Sequence, residues 1–199
     1  MRFKAVFLAA CMTALTPFAS TNASATEKYL PSVQTNMPPK VPFSSFDRIE
    51  LGPVTLAAPF DKHKANIAAQ AKIQGYVTTR LAPLSLVING RESKSETTRI
   101  LLIEPRIEKI KFIGTGARLW AGAMAGSSQV LMRVKISDKQ TGEVIAEPEF
   151  YQRANAFGGA YSAGGTDNDM LSRIADLMAT YLSGNLEAAV GGPTGAEGV

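Results

Sequence analysis

The chain has 199 residues, 45% of them hydrophobic and 19% charged, which is the make-up of one folded domain and excludes a low-complexity or fibrous polymer. Residues 1–25 carry two of the 21 basic residues and none of the 17 acids, so the formal charge of +4 falls to +2 for the remainder. That balance, with no basic stripe interleaved with aromatics, argues against a nucleic-acid partner.

The N-terminus reads as an export signal. Arg2 and Lys4 precede an apolar run from Ala5 to Ala19, and Ala23-Ser24-Ala25 places small residues where a signal peptidase cleaves. The run is too short and too broken for a membrane span, which needs about 20 residues. Residues 1–25 are therefore expected to be a signal peptide and the location to be the periplasm. Leu8-Ala9-Ala10-Cys11 also fits a lipobox, in which Cys11 would be lipidated. That alternative places the protein on the outer membrane through a lipid anchor, with membrane association resting on Cys11 alone. In the other case Cys11 leaves with the signal peptide.

Residues 26–45 hold Pro31, Pro38, Pro39 and Pro42 between polar residues and are expected to form an extended linker. Arg48–Leu56 reads as a strand interrupted by Pro53, hence an edge or a bulge. A helix is expected from Asp61 to about Leu81, with Ile67, Ala71, Gln74, Val77 and Leu81 on its apolar side, Ile73 and Leu84 broadening that stripe, and Pro83 ending it. Thr97–Phe112 reads as a strand bent or split at Glu104-Pro105. Gln129–Ser137 alternates most sharply, with Val130, Met132, Val134 and Ile136 on one face and Leu131, Arg133 and Lys135 on the other. Asp138–Gly142 is turn chemistry, and Val144–Ala156 returns as a strand with a break or edge at Pro148. Thr166 or Asp167 caps a second helix, whose Met170, Leu171, Ile174, Leu177, Met178, Tyr181 and Leu182 share a face and which ends at Ser183-Gly184. The tail from 187 to 199, rich in Gly, Ala and Pro, is expected to be disordered.

The order β-α-β-β-β-α implies an α+β domain over residues 46–186: two layers, with a mainly antiparallel sheet and two helices on one face. Little catalytic chemistry is available. His63 lies between Lys62 and Lys64 with no nucleophile to name, so a hydrolase built on it is the weaker reading and the chain is not expected to be an enzyme. One histidine and one cysteine make a zinc site improbable, and neither Gly114-Thr115-Gly116 nor Gly158–Gly165 has the spacing of a phosphate loop. No metal and no cofactor is expected. Glu147 and Glu149, two apart on one strand, read as a solvated face.

The unusual segment is IGTGARLWAGAMAGSS from Ile113 to Ser128. Gly122 and Gly126 are four apart, and on a helical turn they would give a small-residue face flanked by Leu119, the sole tryptophan Trp120 and Met124, with Arg118 beside it. It either closes the domain's own core or forms an exposed patch for a partner or a membrane surface. The interface candidates are therefore Arg118, Leu119, Trp120, Gly122, Met124 and Gly126.

The same stretch, with Gly114, Gly116, Arg118, Gly122, Gly126, Asp138, Thr141 and Gly142 in a strand–Gly/Ala–strand–turn–strand arrangement, resembles a family of uncharacterised bacterial envelope proteins, many of them predicted lipoproteins. At the level of fold it is similar to small periplasmic modules such as the amino-terminal domain of TolB. The resemblance implies a non-enzymatic module that binds an envelope protein or other envelope component, with a homo-oligomer through the Gly/Ala segment or a strand edge as one form. The alternative is an outer-membrane-anchored structural lipoprotein that oligomerises.

Overall fold

The computed structural model describes residues 29–91, 98–113, 127–154 and 165–197. Two long strands form the centre: β4 (Ile100–Lys111) and β5 (Gln129–Asp138), antiparallel along nearly their whole length. Two short strands in tandem, β2 (Arg48–Leu51) and β3 (Thr55–Leu56), run parallel to the outer side of β4. Two more, β6 (Val144–Ala146) and β7 (Glu149–Arg153), run antiparallel to β5 on the opposite side. Both tandem breaks fall at the prolines that the sequence marks, Pro53 and Pro148, because proline removes a ladder donor. Glu104-Pro105, by contrast, does not split β4: Pro105 sits opposite Val134 in an unbroken strand.

Helices α1 (Lys64–Asn89) and α2 (Gly165–Gly184) pack against each other and cover one face of this sheet, the expected α+β plan. Inward residues of the sheet alternate along β4 (Leu101, Ile103, Ile107) and β5 (Val130, Met132, Val134, Ile136), all of them buried. A register shift between Ile107 and Lys109 inserts one residue into β4, so that Ile110, three positions on from Ile107, also points inward. Burying each such aliphatic side chain contributes about 1.5–3 kcal/mol.

Helix α1 runs eight residues past the predicted end. Pro83 is on the solvent side, where the carbonyl it leaves unbonded can be hydrated, so the helix continues through it. Its buried line follows the expected stripe only in part, at Ile73, Val77 and Leu81, with Leu84 half-buried beside them. Ala69, Ile73, Val77, Leu81 and Ile88 face the core, whereas Ile67 and Ala71 are exposed. Apolar residues surround the whole helix, so spacing alone selects no face. In α2 the apolar face is as expected, with Ala175 added to it.

Two expectations fail at the chain ends. Residues 29–45 form a strap, not a free linker: β1 (Thr35–Asn36) pairs with β8 (Gly192–Pro193) in a second small sheet, and Phe43 is fully buried. The strap starts on the outer face of the main sheet, where the Tyr29 ring lies 6.0 Å from Lys109 Nζ. It then rounds the β6/β7 side, with the Lys40 amide donating to the Ile145 carbonyl at 3.0 Å, and ends in the helix layer, where Phe43 N–H donates to the Asn185 carbonyl. Tyr181 of α2 joins these parts: its hydroxyl donates to the Met37 carbonyl at 2.9 Å, and its ring meets those of Phe43 and Phe150 at 6.2 and 5.9 Å. Burial pushes the Tyr181 hydroxyl pKa up to about 12.

The tail is likewise packed as far as Glu197. Fully buried Asn185 uses its whole amide, donating to the carbonyls of Tyr181 and Gly191 and accepting from the amides of Val190 and Gly191. The fold thus extends beyond residues 46–186 at both ends. Small and polar residues resemble disorder by composition, yet specific backbone hydrogen bonds hold them here.

Candidate functional site

All six interface candidates (Arg118, Leu119, Trp120, Gly122, Met124 and Gly126) and Cys11 lie outside the described residues. Their attachment points are described. Residues 114–126 leave the sheet after β4 and rejoin it before β5. Residues 155–164 leave after β7, whose Arg153 pairs with Gln129 at the start of β5. Both segments are therefore rooted at one end of the sheet, and one residue joins the roots. Ser128, fully buried, accepts from the Ile113 amide through Oγ at 3.0 Å and from the Ala154 amide through its carbonyl at 2.9 Å. Nothing in the pattern of the sequence marks Ser128 for this role.

His63 stands exposed just before α1, and its side chain takes part in no hydrogen bond among the described residues. Also among the described residues, no three His, Cys, Asp or Glu side chains gather as a metal-binding group, and no helix is long and apolar enough to cross a membrane.

The face of the sheet away from the helices carries the most organised polar chemistry. The registers place Thr55 of β3 beside Arg106 of β4, Arg106 beside Arg133 of β5, and Arg133 beside Glu149 of β7, one outward row across four strands. Glu149 is not the solvated carboxylate that its spacing from Glu147 suggests. It is 4% exposed, its Oε1 accepts from Arg133 Nη2 at 2.5 Å and Nε at 3.2 Å, and its Oε2 accepts from the amide and hydroxyl of Ser32 in the strap. Burial is the largest single influence on its pKa and pulls upward, but the hydrogen bonds from Arg133 and Ser32 together hold it below its ordinary value. The same Glu149 hydrogen bond holds the Arg133 guanidinium above its usual pKa.

Beside this anchored pair the sheet opens into a cleft of about 370 Å³ lined by Pro53, Thr55 and Pro105, by the cations Arg106, Arg133 and Lys135, and by the carboxylates Glu104, Glu108 and Glu147. A second cavity of about 310 Å³, between the strap and β6/β7, is lined by Val33, Met37, Pro148 and Glu149 among others. Residues from Tyr29 onward cross the outer face at the end near Lys109, and among the described residues the Arg106 cleft is left uncovered. Sequence reading missed this row, because it depends on which residues of four separate strands come into register. The one available signal was the alternation that put Arg133 and Lys135 on the outer face of β5.

Elsewhere, Asp138 is buried at the end of β5. Its Oδ2 accepts from Arg99 Nη2 at 2.9 Å and Nε at 3.1 Å, and its Oδ1 accepts from the amides of Gln140 and Thr141. Burial raises its pKa most strongly, but these donors outweigh it and the net shift is downward. Gly142 takes φ 73° to complete the turn. This cluster shapes the β5–β6 turn at the end of the sheet opposite Ser128.

No family model and no curated protein matches the chain. Among solved structures it is similar to a PelC dodecamer from Paraburkholderia phytofirmans, at 11% identity over 78% of this chain and 96% of that one, with a TM-score of 0.42. A hypothetical protein from Chlamydia trachomatis aligns at 9% identity over 70% and 99% of the two chains, TM-score 0.35. A predicted lipoprotein from Caulobacter crescentus aligns at 11% identity over 66% and 92%, TM-score 0.29.

Proposed function

We propose that this protein is a non-catalytic binding module of the bacterial cell envelope, exported to the periplasm, that engages its partner through the end of the sheet where residues 114–126 and 155–164 are rooted. The observation that carries this reading is the double anchoring of those roots on Ser128. One buried residue joins Ile113 and Ala154, from which the chain runs on into stretches that combine Gly and Ala with Trp120 in one and with Phe157 and Tyr161 in the other, and well-bonded roots favour a contact surface at a defined place. The partner is an envelope protein, another envelope component or a second copy of the chain. Trp120, the sole tryptophan, reports on this directly. In the monomer its fluorescence is expected to be red-shifted and quenched by acrylamide, and photo-cross-linking from position 120 in cells should give adducts that position 67 on exposed α1 does not. A blue-shifted, unquenchable Trp120 and equal cross-linking from both positions would sink the proposal.

A second reading has its own support. Tyr29, the first described residue, lies beside Lys109, at the same end of the sheet as the segment roots. A lipid on Cys11 would tether the protein to the outer membrane through the residues that precede Tyr29. Fatty-acid labelling of the wild type that disappears in Cys11→Ala is expected if the anchor exists; equal labelling of the two ends that reading.

A further inference from the structure

We infer that the open cleft around Arg106 and Arg133 is a binding site for a singly charged oxyanion of the carboxylate or phosphodiester type. It lies on a different part of the molecule from the Gly/Ala segment, and either proposal can fail without the other.

Arg106 and Arg133 are direct cross-strand partners on the outer face, where Cβ atoms stand about 4.5–5.5 Å apart and like charges oppose pairing. The two guanidiniums are treated differently. Arg133 is fixed by Glu149, which Ser32 holds from the other side, and Arg133 Nη1 has no hydrogen bond among the described residues. Arg106 is 56% exposed and forms an ion pair with Glu108, whose Oε1 lies 3.7 Å from Arg106 Nε, too far for a hydrogen bond, so its fork makes no hydrogen bond among the described residues. Next to it Thr55 Oγ1 reaches only a marginal 3.5 Å contact with the Pro105 carbonyl. A hydroxyl and two guanidiniums in register thus converge on one cleft with donors to spare. An oxyanion seated between the arginines would relieve their repulsion and use the fork geometry that suits planar or tetrahedral oxygens.

The charge balance of the lining restricts the charge of the ligand. Glu104, Glu108 and Glu147 offset Arg106, Arg133 and Lys135. Glu104 is itself 3.7 Å from Lys135, and Glu147 is exposed. Because these charges balance, the net field of the cleft is weak, and a dianion, whose desolvation cost grows with the square of its charge, gains too little from the arginine pair to be held as a monoanion is.

The test uses the purified protein and three probes: acetate, dimethyl phosphate and sulfate. Saturable NMR shifts of the Arg106 and Arg133 side-chain Nε–H signals are expected with acetate or dimethyl phosphate, and weaker ones with sulfate. The tighter of the two monoanions distinguishes a carboxylate ligand from a phosphodiester. Arg106→Gln should weaken that binding roughly tenfold or more, as expected for the loss of charge-assisted hydrogen bonds. The same substitution removes the like-charge pair, so without ligand it should raise Tm by about 1–4 °C. A merely structural arginine would not produce that opposition of effects. Absence of saturable shifts with both monoanions, tighter binding of sulfate, or an Arg106→Gln protein that binds as the wild type does, overturns the proposal.

Discussion

The two edges of the main sheet meet the same physical demand by different means. An edge strand presents unpaired N–H and C=O groups that must be bonded, covered or left open to pairing with another chain. At the β2/β3 edge the partners are amide side chains of α1. Asn89 accepts from the Ile49 amide at 2.7 Å and donates to the Ile49 carbonyl at 3.3 Å; Gln74 accepts from the Val54 amide and Gln70 donates to its carbonyl. At the β7 edge the partners come from the two chain ends. Asn36 of the strap accepts from the Glu149 amide at 2.8 Å and donates to the Glu149 carbonyl at 2.9 Å and to that of Pro193, while Thr194 of the tail accepts from the Tyr151 amide at 2.7 Å. The first cap stands on a helix that its own apolar stripe already fixes. The second exists only while strap and tail hold each other. One edge is therefore protected locally, the other cooperatively, and neither offers an open ladder for strand addition at these residues.

The sharpest way to break this contrast is at Gly195. It takes φ +82°, and a Cβ there would run into Leu177 Cδ1 and the Tyr151 carbonyl. Gly195→Ala should combine left-handed strain with overpacking and cost about 3 kcal/mol, detected as a fall in the denaturant midpoint. Hydrogen exchange should show the loss concentrated at Tyr151, Asn36 and the strap, with the Ile49 amide unaffected. Uniform loss of protection across both edges would refute the division.

Next in size is the comparison of Asn36→Ala with Asn89→Ala. The Asn36 side chain is 2% exposed and makes three backbone hydrogen bonds, so removing it strands buried groups and should cost about 2–4 kcal/mol. Asn89 makes two at a more accessible edge, where water can replace it, and its loss should cost about 1 kcal/mol. Equal costs would mean that the β7 edge is no more dependent on its cap than the β2 edge.

The same contrast explains what could be read from the chain. β5 was legible because Val130, Met132, Val134 and Ile136 alternate with charged residues, and burial of one face follows from that period alone. α2 was legible for the corresponding helical reason. The strap and tail were not, because they are ordered by Asn36, Asn185 and Thr194, polar residues that suggest disorder until their backbone partners are in place. Glu149 was misread for the same cause: it is settled by Ser32, 117 positions away. The Arg106–Arg133 row required the register of β4 against β5, which no local pattern supplies. The interface candidates from Arg118 to Gly126 were selected on composition, and what the fold adds is the place where their segment is rooted.

The smallest predicted effect tests whether Glu149 belongs to the cooperative edge. Its pKa in the folded protein lies below the ordinary 4.5. Because the folded value is depressed, the stability contributed by its charge is fully present above pH 4.5 and is lost as the pH falls through the folded pKa. Arg133 keeps access to water when its partner is removed, which keeps the cost of losing the pair moderate. Glu149→Gln should therefore be about 1 kcal/mol less stable than the wild type at pH 7. That gap should narrow progressively below pH 4.5, as the wild-type carboxyl takes up its proton. If strap and edge form one unit, the strap amides at Ser32 and Asn36 lose exchange protection over the same pH interval in the wild type, whereas those at Ile49 and Val54 do not. A gap that is constant across the titration would show that Glu149 serves by shape and hydrogen bonding alone, and that the ion pair contributes nothing to holding the strap in place.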